Sequence, residues 1–302
     1  MRRPLLLLCA LLLAGCTAEP LHKKVLLIGL DGIRTDILAA AHTPHLDALI
    51  ADGTFSDEAF TRMPTVSGPG WSSMLVGVWA EKHGVMGNNF SANRYDRYPD
   101  FLTRLEQLDP SFQTFAVIDW LPLGDTTDGG PLISDAVDTK IVFDGYIDGY
   151  ASADSQAVAL AVEHLTTQDP DAAFVYIGNT DEDGHAFGSL SPEYKAEIEQ
   201  ADRYIGTLLD ALRQRPTYAK EDWLILMSTD HGRRDDGGHG GNSDLERRIF
   251  YLASGPAALK GTPAAPPALV DVAVTALAHL GITADPAWDL DGQVVGLRRD
   301  GE

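Results

Sequence analysis

Six side chains able to hold a divalent cation follow apolar runs along this chain. Asp31 comes after the run 25–30, Asp181 and His185 after 173–177, Asp230 and His231 after 223–227, and His239 a few residues later. Carboxylate and neutral imidazole are the ligands that zinc takes in hydrolytic sites built without thiolates, and this set suffices for two metals with open positions. Zinc is therefore the expected metal, with manganese as the alternative. The spacing favours convergence: His185 lies four residues beyond Asp181 with Gly184 between them, and His231 adjoins Asp230. Gly232, Gly237, Gly238 and Gly240 allow the backbone to fold closely there. An Asp-His pair before glycine is common by chance, so the weight rests on the joint order. His22, His42, His45, His83, His164 and His279 have no carboxylate partners in comparable positions and are read as structural.

The elements that must position these groups read as alternating strands and helices. The run 25–30 is continuous and apolar, as in a strand buried on both faces. Thr43-Pro44 starts a helix with Leu46, Leu49 and Ile50 at helical spacing and Gly53 as its stop. Ser191-Pro192 repeats the start signal, and Tyr194, Ile198, Ala201, Ile205, Leu208 and Leu212 fall on one face. Apolar runs at 115–118, 173–177, 223–227 and 249–253 alternate with helical segments near 154–165 and 269–280. This pattern predicts an α/β fold with a mainly parallel central sheet sandwiched by helices. In such sheets chemistry gathers beyond the carboxyl ends of strands, where Asp31, Asp181 and Asp230 all fall. Residues 90–150 are less regular and rich in Tyr, Asp and Gly, and are read as a small inserted cap.

With 302 residues and 44% of them hydrophobic, the chain can bury a large core. Acidic residues outnumber basic ones 44 to 23, for a formal net charge of -21, which excludes a nucleic-acid duplex as partner. An anionic substrate then needs a local positive centre, and metal ions would supply it. The first residues pair Arg2 and Arg3 with an apolar run at 5–13, too short to span a membrane, and so read as a signal peptide over 1–15. Leu13-Ala14-Gly15-Cys16 resembles a bacterial lipobox, which implies cleavage before Cys16 and lipidation of it. Residues 16–24 are expected to form a tether, and 25–302 the catalytic domain. The only cysteines are Cys9 and Cys16, so no disulfide framework is expected in the body. The implied location is the bacterial cell envelope, lipid-anchored at the outer membrane. No protein partner is predicted.

The motifs resemble the alkaline phosphatase superfamily, and within it the branch of type I phosphodiesterases and nucleotide pyrophosphatases. The resemblance rests on Asp31-Gly32, Pro64-Thr65-Val66-Ser67 with Pro69, His83-Gly84 with Asn88, Asp181 with Gly184-His185, Asp230-His231-Gly232 and His239-Gly240. It implies an alkaline-phosphatase-like fold and one metal held by Asp181, His185 and His239. The other metal would be held by Asp31, Asp230, His231 and the nucleophile, whose position falls on Ser67. It further implies a phosphoseryl intermediate and a phosphoryl-oxygen hydrogen bond from Asn88. Metal coordination suits a serine with no adjacent histidine base, and the helix beginning near Ser67 offers N–H groups to an anion.

One departure bears on the substrate. Gly68 stands at the substrate-binding position where the nucleotide-cleaving enzymes carry an aromatic that stacks on the base. Trp71, Tyr95, Tyr98 and Trp120 are the candidates to replace it. The expected activity is phosphodiester or nucleotide pyrophosphate hydrolysis on a small-molecule phosphate ester. A phosphomonoesterase using Arg94, Arg233 or Arg234 is the alternative. A sulfatase is disfavoured by Trp71, which stands where the formylglycine signal has arginine, and a non-catalytic metal-binding envelope lipoprotein by the intact ligand set.

Overall fold

The computed structural model describes residues 21–298. The signal peptide, Cys16 and most of the expected tether lie outside this span. Seven strands form one sheet: β1 His22–Leu30, β2 Gly53–Phe60, β3 Thr114–Ile118, β4 Thr139–Val142, β5 Ala172–Ile177, β6 Glu221–Ser228 and β7 Arg248–Ser254. Their spatial order is β2-β7-β6-β1-β5-β3-β4. All neighbours among β6, β1, β5, β3 and β4 are parallel, whereas β7 runs antiparallel to both β6 and β2. The tether expected to reach Lys24 ends earlier, because His22, Lys23 and Lys24 already pair with Glu221, Asp222 and Trp223 in the sheet.

The helices are, in chain order, α1 Thr35–Ala40, α2 Pro44–Ala51, α3 Ser67–Val76, α4 Ala80–His83, α5 Phe101–Leu108 and α6 Leu121–Gly124. After these come α7 Gly145–Asp148, α8 Tyr150–Thr167, α9 Asn179–Phe187, α10 Pro192–Arg213, α11 Asp244–Arg247 and α12 Asp271–His279. Because side chains alternate along a strand, the sheet has two apolar faces. Val25, Leu27, Phe174, Leu224 and Leu226 pack beneath α3, α5 and α12. Leu26, Ile28, Val175, Ile225 and Met227 pack against α2, α8 and α10. The long helix expected after Ser191-Pro192 is α10, with the Ser191 hydroxyl accepting the Tyr194 N–H at 3.1 Å.

The segment 90–150 is not a cap standing apart from the sheet. It supplies α5, β3 and β4, and β3 pairs directly with β5. From this segment, the turns beyond β3 and β4, carrying Trp120 and Tyr146, and Tyr150 at the start of α8 border the site. The sheet order explains why the acidic residues meet. β1 is flanked by β6 and β5, so Asp230, Asp31 and Asp181 leave adjacent parallel strands at one edge.

Candidate active site

The turn after β1 is laced to its neighbours by short bonds. Gly32 N–H donates to Asp230 Oδ1 at 3.1 Å, Ile33 N–H to Thr229 Oγ1 at 2.9 Å, and the Thr180 hydroxyl to the Asp31 carbonyl at 2.6 Å. Gly32 has φ +63°, a left-handed conformation that a side chain there would disfavour. Asp31 is buried, and its Oδ2 accepts the Trp71 indole N–H at 2.9 Å and the Tyr176 hydroxyl at 2.6 Å. Its Oδ1 has no hydrogen-bond partner, and neither does Oδ2 of the buried Asp230. Both orphaned oxygens approach His231 Nε2, at 3.7 Å for Asp31 and 3.2 Å for Asp230, and Ser67 Oγ stands 3.3 Å from the same nitrogen.

His231 cannot satisfy these oxygens. Its Nδ1 lies 3.0 Å from the Gly232 carbonyl, which only accepts, so the ring proton resides on Nδ1 and Nε2 presents a lone pair. Burial holds the ring's pKa well below the ordinary value, so it stays neutral. Burial likewise pushes Asp31 well above its usual range and Asp230 up to about 7, with neighbouring carboxylate charge adding to both. Several lone-pair atoms thus crowd one buried point, an arrangement that a cation relieves.

A second cluster adjoins the first. Asp181 and His185 share one face of α9 in an i,i+4 relation, with Asp181 Oδ2 3.2 Å from His185 Nε2. His185 Nε2 lies 2.9 Å from His239 Nε2, and His239 Nδ1 is 2.8 Å from the Thr65 carbonyl, which again leaves Nε2 facing inward. The His231 and His239 rings stack at 3.8 Å. Two triads, Asp181-His185-His239 and Asp31-Asp181-His231, each bring ligand atoms within 4.8 Å of one another. Burial alone would raise Asp181, but the His185 hydrogen bond and the Arg233 charge outweigh it, and its carboxyl is held below the usual range.

Ser67 opens α3, and Asn88 lines the same cavity. Asn88 Oδ1 accepts the Gly68 N–H at 2.9 Å, so the amide nitrogen is left as a donor. Gly68 corrects the expectation that it contacts substrate. It does not line the cavity, its N–H is taken by Asn88, and a Cβ there would collide with the Gly87 carbonyl. The anion-binding N–H groups expected at this helix start are correspondingly reduced, since Pro69 in the same turn has no N–H to offer.

Several residues have roles that sequence patterns did not reveal. Trp71 is fully buried and orients Asp31 rather than stacking on a substrate, over Gly29, where a Cβ would strike its ring. Tyr95 bonds the Ser72 hydroxyl at 2.7 Å and Tyr98 is buried, so of the four aromatics considered only Trp120 lines the cavity. Tyr146 and Tyr150 join it. Asp154 of α8 accepts from Gly178 N–H at 2.8 Å and Asn179 N–H at 3.0 Å, anchoring the start of α9. The three arginines considered for a phosphate clamp are engaged elsewhere. Arg94 bonds the Glu81 carbonyl, Arg234 pairs with Glu246 at 2.7 Å, and Arg233 is buried behind Asp181, bonded to its Oδ1.

Comparison with known proteins agrees with this architecture. Bis(5'-adenosyl)-triphosphatase ENPP4 of Bos taurus is 26% identical over 247 residues, covering 77% of this chain and 53% of that protein. Ectonucleotide pyrophosphatase/phosphodiesterase family member 5 of Homo sapiens is 26% identical over 223 residues, covering 71% and 46%. The chain thus spans about half the length of the curated relatives it matches. Among solved structures, murine ectonucleotide pyrophosphatase/phosphodiesterase 5, inactive and in complex with AMP, superposes with TM-score 0.67 at 17% identity, covering 89% of this chain and 99% of that one. A 2-O GAG sulfatase, BT1596, gives TM-score 0.69 at 13% identity, covering 91% and 73%, so the fold is shared with sulfatases as well. The sequence model of type I phosphodiesterase / nucleotide pyrophosphatase matches residues 25–137 and 125–236, and the chain belongs to that family.

Proposed function

We propose that this protein is a metal-dependent phosphodiesterase in which Ser67 attacks phosphorus and forms a phosphoseryl intermediate. The observation that carries the reading is the pair of buried, unpartnered oxygens, Asp31 Oδ1 and Asp230 Oδ2, converging with His231 Nε2 beside the Ser67 hydroxyl. Asp181, His185 and His239 would hold one cation, and Asp31, Asp230, His231 and Ser67 the other. Bound zinc or manganese would supply Lewis-acid stabilisation of phosphoryl charge and lower the pKa of the serine hydroxyl.

The chain's own groups do the rest. The α3 start fixes the Ser67 oxygen at the cavity wall, where an in-line attack expels the alcohol on the opposite face of phosphorus. The Asn88 amide, held by Gly68 N–H, donates to a phosphoryl oxygen whose charge grows in the transition state. Water then cleaves the phosphoseryl ester and restores Ser67. No Lys or Arg lines this cavity among the described residues, which favours a singly charged diester over a dianionic monoester.

Release of p-nitrophenol from bis-p-nitrophenyl phosphate, p-nitrophenyl phosphate and p-nitrophenyl sulfate, with zinc or manganese supplied, tests the reading. The diester should be cleaved fastest, and Ser67→Ala or chelation should each abolish turnover. Faster cleavage of the monoester would replace diesterase with phosphatase. We further propose that Cys16 bears a lipid anchor at the cell envelope, supported by Leu13-Ala14-Gly15-Cys16; Cys16→Ser should release the protein from the membrane fraction.

A further inference from the structure

A fourth parallel strand also delivers an acid to the catalytic edge. Asp119 follows β3 as Asp31 follows β1, yet it does not line the cavity. It is fully buried, and neither of its side-chain oxygens is partnered by a donor group. Its carboxyl lies within hydrogen-bonding reach of Asp154 on α8, which is also fully buried. It also packs against Gly178, where a Cβ would stand 2.9 Å from Asp119 Oδ1. Gly145 N–H donates to the Asp119 carbonyl at 2.9 Å, so the turn after β3 is itself held in place.

Two buried carboxylates side by side need a cation between them. Neither Asp119 nor Asp154 stands in an ion pair with Lys or Arg among the described residues, and neither belongs to the two candidate metal triads. The other titratable groups that face Asp119 are Asp31, Tyr150 and Tyr176, and those that face Asp154 are Glu197 and Tyr204; none is cationic. A proton is the cation that remains. Asp154 already accepts Gly178 N–H on Oδ1 and Asn179 N–H on Oδ2, bonds that favour its charged form, so the proton belongs on Asp119. Burial, with the Asp154 charge adding to it, pushes the Asp119 carboxyl well above its ordinary range. We propose that Asp119 is a positioning residue: it stays protonated at neutral pH and donates that proton to Asp154, fixing the start of α9 and with it Asp181 and His185. The shared proton stands on the packing of this chain alone; only its effect on metal uptake rests on the metal-dependent reading above.

Two variants separate the proton from the space it occupies. Asp119→Asn keeps a donor that does not titrate, and Asp119→Leu keeps the volume and removes the donor. A carboxyl whose folded pKa is raised contributes stability that is complete below the ordinary 3.8 and is lost as pH rises towards the folded value. Urea titrations of the metal-free proteins between about pH 4 and 9 should therefore show Asp119→Asn gaining on the wild type as pH rises. Infrared difference spectra at neutral pH should show one protonated-carboxyl band in the wild type that Asp119→Asn lacks. Amide exchange at Gly178 and Asn179 should quicken about 10-fold in Asp119→Leu and stay near wild type in Asp119→Asn. Zinc affinity, read by chelator competition, should fall about 3- to 10-fold in Asp119→Leu and return to within about twofold in Asp119→Asn. A stability difference between Asp119→Asn and the wild type that is constant with pH, or a carboxyl band that survives the substitution, overturns the proposal. Equal exchange rates and zinc affinities in the two variants would make Asp119 a space-filler and overturn its positioning role. A protein that binds no zinc but shows the band and the exchange pattern loses the metal reading and keeps the proton-sharing pair.

Discussion

Tyr176→Phe removes one hydroxyl and little else from the site. That hydroxyl donates to Asp31 Oδ2 at 2.6 Å, and the Trp71 indole donates to the same oxygen at 2.9 Å. Burial and the adjacent Asp31 charge push the phenol well above its ordinary value, so it remains a donor at every working pH. In the metal-free protein, burial and the Asp230 and Asp181 charges keep the Asp31 carboxyl protonated well above its usual range, and the lost bond is a neutral one of about 0.5–1.5 kcal/mol. With metal bound the carboxylate is ionised, and the same bond contributes about 1.5–3 kcal/mol. The difference, about 1–2 kcal/mol, should appear as metal binding weakened roughly 5- to 30-fold. Competition with a chromophoric zinc chelator measures this, with thermal melts of both metal-free proteins confirming that the fold survives. Zinc affinity unchanged within about twofold would show that Asp31 is not a ligand oriented through this oxygen, and the argument would fail.

Three further outcomes follow from named contacts. Burial opposes ionisation of Glu221, but hydrogen bonds from Arg215, Thr217 and Trp223 prevail and hold its carboxyl at about 2, below the ordinary 4.5. Its stabilising contribution is therefore complete above pH 4.5 and lost as pH falls towards 2; melting temperature should drop across that window, and Glu221→Gln should flatten the drop. Asp154→Ala leaves the Gly178 and Asn179 N–H groups without their acceptor, and urea titration should show a loss of about 1–3 kcal/mol together with weaker metal uptake through Asp181 and His185. Gly184→Ala sets a methyl against the Arg233 guanidinium and should break its pair with Asp181; a destabilisation of about 1–3 kcal/mol in the metal-free protein is expected, and a wild-type urea midpoint would refute the packing argument.

The strands that carry the candidate ligands were legible because each is buried on both faces and therefore reads as an unbroken apolar run. Residues 25–30 of β1 are all fully buried, as are those of β5. β2 and β4 carry no such run because they form the sheet's two edges: β2 mixes buried with exposed positions and shifts register between Ser56 and Ala59, and β4 is half-exposed throughout. A half-covered edge does not need the continuous apolar pattern that burial between two helical layers imposes. For that reason the segment 90–150 looked like a cap, although part of it completes the sheet.

By itself, the order of residues determined which groups sit beyond the carboxyl ends of parallel strands, because that position is local: it follows from where each apolar run stops. Asp31, Asp181, His185, Asp230, His231 and His239 were all within reach of that reasoning. Tertiary structure decided what surrounds them. Trp71 and Tyr176 reach Asp31 from 40 and 145 residues away, Asp154 anchors α9 from another helix, and Arg233 is buried against Asp181 instead of facing a phosphate. Such contacts depend on how layers stack and which side chain fills which gap, a property of the packed whole that no run of neighbouring residues records.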